Sequence, residues 1–354
     1  MVLAGLLIYA WAGAVRLTRP ITDFYAAGAK VPAVYNGMSI AAGLVAALAY
    51  PALAGALEPG WRGALLILGG GAGGLVLSGL LLAPYLRKFG GYTVPDFLGE
   101  RFGSATLRPL AVVAVFLCSF PGLAAVLVGL AVILARIFAI DLATGIGASA
   151  ATLLLCTFMG GMRSGSLTGI AQYAVLLAGS IAALGVLVWQ HGAASSVLEA
   201  TALFDALARL KLDTLAAPDR INRVALVFSL VAGTAALPHL VMRGFTARSV
   251  EEARNSFLFA VPLAGVVFIA APAYSALLGG EDIVTGDALS AVLTGLTATA
   301  AIAACLALGS GLLLAMANGL SYDLYFKSWD VTAATERRLL IARACLLVVA
   351  ALAA

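Results

Sequence analysis

Long, uninterrupted apolar runs dominate this sequence and leave few folds open to it. Ten can be marked, at residues 1–15, 32–55, 61–86, 107–138, 143–160, 166–189, 223–241, 255–279, 288–325 and 339–354. Runs that are apolar on every side belong in a buried core or in lipid. A soluble core cannot absorb this many: 62% of the residues are hydrophobic and 11% charged, against roughly 45–50% and about 25% in a soluble domain. A soluble enzyme, a nucleic-acid-binding protein and a disordered chain are thereby excluded. In lipid every backbone polar group needs an internal partner, which leaves helices or closed barrels. A barrel would alternate apolar and polar residues in short segments, and these runs do not alternate. The expected fold is all-α, a polytopic membrane helix bundle of about ten spans at about 20 residues each. The ninth run exceeds one simple span and is expected to tilt, extend beyond the membrane, or bend at Gly309 or Gly311.

The basic residues give the bundle a direction. Fourteen of the 21 lie in connections after odd-numbered runs, among them Arg16, Lys30, Arg87, Arg108, Arg163, Arg243, Arg248 and Lys327. Positively charged loops stay on the cytoplasmic side, which places the N-terminus outside. The acidic connection with Glu281, Asp282 and Asp287 then also falls outside. So does the stretch 190–222, where Val197, Leu198, Ala202, Leu203, Ala206 and Leu210 recur at helical spacing, as in an amphipathic helix on the membrane surface. The four cysteines stand singly in apolar runs without a CxxC pair and read as small buried hydrophobes. No metal beyond sodium and no cofactor is expected.

Broken helices at matching positions in two halves mark the sites of transporters. The second run holds Gly37, Gly43 and Pro51, with Tyr35, Asn36 and Ser39 as polar members; the seventh, five runs on, holds Gly233, Thr234, Pro238 and His239. Tyr35, Asn36, Ser39, Gly233, Thr234 and Pro238 are therefore the solute-site candidates. His239 reads as a helix-end histidine. Runs two to eight carry no Asp or Glu well inside, and no buried Arg or Lys is expected to meet an anionic solute. Any ion site has to use neutral oxygens, which suits Na⁺ better than a proton relay.

Several ordered motifs resemble the sodium:solute symporter family, in particular its acetate-permease-like branch. They are Asp23-Phe24-Tyr25-Ala26-Ala27-Gly28 with Val31-Pro32-Ala33-Val34-Tyr35-Asn36-Gly37-Met38, Leu82-Ala83-Pro84-Tyr85, Tyr92-Thr93-Val94-Pro95-Asp96-Phe97, Gly160-Gly161-Met162-Arg163-Ser164, Ala171-Gln172-Tyr173, Leu237-Pro238-His239, Arg248-Ser249-Val250 and Ser321-Tyr322-Asp323-Leu324-Tyr325. The resemblance implies a five-plus-five inverted-repeat bundle. A leading helix and loop would occupy 1–31, the first repeat 32–189, the external amphipathic loop 190–222, and a second repeat 223–354 lacking its last core helix. It implies Na⁺-coupled uptake of a small organic solute such as a short carboxylate, with no enzymatic activity.

By the same resemblance the cation site falls on Ala42 and Val45 in the second run and on Ala304, Ala307 and Leu308 in the ninth. Where the family carries two adjacent hydroxyl residues, this chain has Ala307-Leu308, so the site reads as degenerate. Gly169 stands where the family often has Asp or Gln. The expected partners are a small-molecule solute and the lipid bilayer, with an additional membrane subunit as one way to complete the bundle, and no nucleic acid. The alternative expectation is a non-transporting homologue acting as a sensor or as one subunit of a membrane complex.

Overall fold

The computed structural model describes residues 20–53, 61–182, 185, 217–269 and 288–354. The leading run 1–15 and the amphipathic stretch 190–222 fall mainly or wholly outside the described residues. A short helix α1, Ile21–Ala26, leads into α2, Ala33–Leu53. Then α3 runs from Trp61 to Phe89 through a π-helical turn at Ser78–Leu82. The surface helix α4, Val94–Arg101, is capped by Thr93, whose hydroxyl accepts the Asp96 N–H. Next come α5, Leu107–Phe138, α6, Leu142–Thr157, and α7, Gly161–Ala182. Asp141 caps α6 in the same way. After the gap follow α8, Ala217–Ala236, and α9, Pro238–Thr246, bent by 43° against each other. The last three are α10, Val250–Ile269, α11, Ala288–Asn318, continued in π geometry over Gly319–Trp329, and α12, Thr335–Ala353. Nine of the ten apolar runs thus coincide with helices.

Four of these helices are long and apolar enough to cross a membrane, or five with the bent α8–α9 pair as one span, among the described residues. Helix α11 is central, with 83% of its apolar window buried against 33% for α5. The outer helices turn Leu80, Leu81, Leu110, Leu117, Ile181 and Leu352 outward, as lipid-facing surfaces do. The most extensive pairings are α2 with α10 and α3 with α8. Exchanging each helix for its counterpart five runs away converts the first pairing into the second, and likewise converts α5–α6 into α11–α12, both of which also pack. Two repeats related by a pseudo-two-fold axis produce this pattern.

Small residues let these pairs approach closely. A Cβ on Gly74 of α3 would lie 2.5 Å from Thr234 Cβ and 2.7 Å from the Val231 carbonyl oxygen of α8. Gly74→Val is therefore expected to force α3 and α8 apart, at about 1–3 kcal/mol or more for overpacking. A thermal-unfolding scan in detergent would show the midpoint fall, and an unchanged midpoint would contradict the close contact. Gly309 and Gly311 likewise serve close packing, against Leu153 and Val126 and against His239 respectively. Helix α11 does not break there; its geometry changes only after Asn318.

Candidate functional site

Pro238 has no N–H to donate and disfavours helical geometry in the residue before it. Leu237 accordingly adopts φ −56°, ψ 115°, and Pro238 opens α9 as its first residue. Of the carbonyls released at the end of α8, that of Ala235 accepts the Ser78 hydroxyl and that of Thr234 accepts the Leu237 N–H at 3.4 Å. The expected matching interruption in the second run is not there, because α2 is continuous from Ala33 to Leu53. Its glycines serve contact instead. Gly37 lies against Ser256 and Phe259 of α10, and Gly43 against His239 and Leu240.

Four of the five cation-site positions come together. Ala42 and Val45 of α2 and Ala307 of α11 share one buried apolar cluster with Ile40, Leu44 and Tyr173, and Ala304 packs against it. Leu308 faces a different cluster, with Leu123, Leu127 and Met162. No side-chain oxygen stands at any of the five positions. The Ala307 carbonyl accepts the Ser310 hydroxyl at 3.2 Å, and the carbonyls of Ala42 and Val45 belong to an unbroken helix. These five residues contribute backbone oxygens only, with the Ser310 hydroxyl beside the Ala307 carbonyl.

The solute-site candidates separate. Asn36, wholly buried, donates to the Arg243 carbonyl at 2.9 Å and to Ser256 Oγ at 3.2 Å, and accepts from Thr246 Oγ1 at 3.2 Å. Asn36→Ala removes three buried hydrogen bonds, although Thr246 still donates to the Arg243 carbonyl and Ser256 to the Glu252 carbonyl; at about 0.5–1.5 kcal/mol for each lost bond it should lower the unfolding midpoint. Asn36→Asp, which keeps the acceptor, tests whether the donated bonds carry the loss. Ser39 is buried and donates to the carbonyls of Tyr35 and Ser166. Thr234 is buried against Gly74, whereas Gly233 and Tyr35 are exposed and Pro238 is half-buried.

Arg243 corrects the expectation that no buried basic residue exists. It lies within α9, 4% exposed, not in a loop. Its Nη1 donates to Ser166 Oγ at 3.0 Å and its Nη2 to the Gly165 carbonyl at 3.4 Å. Among the described residues no carboxylate pairs with it. One turn earlier, His239 is 4% exposed with both ring nitrogens unpartnered. The charge of Arg243 was hidden in the sequence by its place after the apolar run. The signal that could have revealed it is the four-residue spacing from His239 on a helix that Pro238 restarts.

The basic connections gather on one face. Arg87 donates to the Arg248 carbonyl, Arg248 to the Lys30 carbonyl, and Arg108 and Lys327 share Asp96 at 3.2 and 3.4 Å. Arg163 pairs with Asp23 on this face as well. Thr93 donates to Asp323 Oδ1 at 2.9 Å, and Tyr25, Tyr92 and Tyr322 pack ring against ring beside it. Burial pushes the Asp96 carboxyl above its ordinary value, and the Lys327 ammonium pulls it back. This ion-pair face unites connections after the first, third, fifth, seventh and ninth runs, as their shared charge predicts.

The sequence profile of the sodium:solute symporter family matches residues 24–354. The chain belongs to the sodium:solute symporter family. An uncharacterized symporter of Cupriavidus necator is 28% identical over 507 aligned positions, covering 97% of this chain and 74% of that protein. Among solved structures, a Na⁺-coupled sialic acid symporter in a substrate-bound outward-open state shares the fold, with a TM-score of 0.77 at 19% identity. That match covers 99% of this chain and 77% of the other. Family and helices together define this symporter as an integral membrane protein and a cation-coupled solute transporter, not an enzyme.

Proposed function

We propose that this symporter takes up a small organic anion, a short carboxylate, across the inner membrane of a prokaryote, with the N-terminus outside. One observation carries the reading: Arg243 is a buried guanidinium bonded only to neutral groups. A buried charge is stable when paired, and a carboxylate matches the guanidinium fork. The neutral residues around the α8–α9 break, with Asn36 on the Arg243 carbonyl and Ser39 on the carbonyl of Ser166, whose hydroxyl Arg243 meets, suit a small solute better than a polyol with many hydroxyls. The division into a first repeat at 32–189 and a second at 223–354 belongs to the same reading and is supported by the exchange of helix pairings.

Coupling to sodium is weak in this proposal, because Ala307-Leu308 supplies no side-chain oxygen. A second reading draws on that same apolar position: a non-transporting homologue that senses the solute or completes a membrane complex. Proteoliposome uptake of labelled acetate, propionate and pyruvate, with Na⁺ replaced by choline, separates them. The expected result is saturable carboxylate accumulation with little or no Na⁺ stimulation. Strong saturable Na⁺ stimulation would overturn the degenerate site. Binding without accumulation would favour the sensor, and uptake of neutral solutes alone would overturn the anion.

A further inference from the structure

Three fully or nearly buried polar side chains have no hydrogen-bond partner on either polar atom: Gln172, His239 and Asn318. They are 1%, 4% and 0% exposed. A buried amide or imidazole left unpaired is costly, and three on adjoining helices call for a common cause.

Close contacts fix the levels of His239 and Arg243, and helix rise gives those of Gln172 and Asn318. Gly311 of α11 lies against the His239 ring, as does Gly43 of α2. Gly165 of α7 lies against Leu314, and its carbonyl accepts from Arg243. Gln172 is seven residues beyond Gly165, two turns along α7 on the same face and about 10 Å away from the ion-pair face. Asn318 is one turn past Leu314 and two past Gly311, about 6 Å toward that face from the Arg243 head. His239 and Arg243 are one turn apart on α9. By helix rise the four groups are spread over about 16 Å of α7, α9 and α11, roughly half of a ~30 Å hydrocarbon core. Glycines at 43, 165 and 311 keep the neighbouring backbones bare of side chains beside them.

We propose that Gln172, His239, Arg243 and Asn318 form the solute's route through the half of the membrane nearer the ion-pair face. It is a ladder of hydrogen-bonding stops whose single charge makes it selective for small anions. The proposal rests on the anion reading above and extends it to Gln172 and Asn318. The amides and the imidazole offer donors to a carboxylate at each stop, and the guanidinium excludes cations of similar size. Their missing partners are then the atoms of the passing solute and its waters.

Thiol labelling tests the route without measuring transport. In a full-length background with the four cysteines replaced by alanine, Gln172→Cys and Asn318→Cys are each treated with an anionic sulfonatoethyl or a cationic trimethylammonioethyl thiosulfonate. Labelling is expected at both positions, roughly tenfold faster with the anionic reagent through the nearby guanidinium. The preference should vanish in Arg243→Gln and persist in Arg243→Lys, which shows that charge and not a folding defect is read. Acetate should slow labelling. No reaction at either cysteine, or a preference indifferent to Arg243, overturns the route. A preference that responds to Arg243 while acetate has no effect upholds the route and overturns the carboxylate reading.

Discussion

Arg243→Gln should reduce carboxylate uptake by about 30-fold or more at low solute, since losing one side of a desolvated charge pair removes about 2–5 kcal/mol. The same change should leave the unfolding midpoint level or raise it. Glutamine can still donate toward Ser166, which Arg243 Nη1 contacts at 3.0 Å, while an uncompensated buried charge is relieved. That combination is diagnostic. If Arg243 served only to hold α9 against α7, stability and uptake would fall together. Arg243→Lys keeps the charge but loses the planar fork, so uptake should persist at reduced affinity. Unchanged uptake in Arg243→Gln, measured in proteoliposomes alongside a thermal scan, would remove the guanidinium from solute handling.

The helices were legible in the sequence because lipid removes the ambiguity of a half-buried surface: a continuous apolar run is a helix or nothing. Leu107–Phe138 is read to the residue, and the shared face of Lys30, Arg87, Arg108, Arg248 and Lys327 follows from their charge. Two features could not be read. Gly43 and Gly311 look like bends, but glycine serves close approach as readily as distortion, and only the position of the His239 ring decides between the two. Arg243 follows an apolar run and looks like a loop residue. It is buried because α9 restarts at Pro238 and carries the next eight residues inward. Gln172 and Asn318 are polar residues on helices, common in sequence; their unpartnered state is a property of packing alone.

Restoring hydroxyls at the cation position gives the second large effect. The double variant Ala307→Ser, Leu308→Thr adds one oxygen on the face of α11 that meets Ala42 and Val45, and a second on the adjoining face toward Leu123 and Leu127. Taking about 1.5 kcal/mol for each contact with a charge, the pair is worth roughly a hundredfold in Na⁺ affinity. Part of this is offset in stability, because Leu308 fills a cluster with Leu123 and Leu127 and its shortening costs about 1–3 kcal/mol. The unfolding midpoint should therefore fall in choline and recover as Na⁺ is added, since an ion that binds only the folded protein stabilises it. Ala307→Ser alone should show a smaller Na⁺-dependent gain and Leu308→Ala none. An unbroken α2 sets the remaining limit. If its carbonyls at 42 and 45 stay locked in the helical ladder, the double variant will lose stability in choline with no recovery in Na⁺. In that case the continuity of α2, and not the apolar side chains at 307 and 308, sets the Na⁺ affinity of this position.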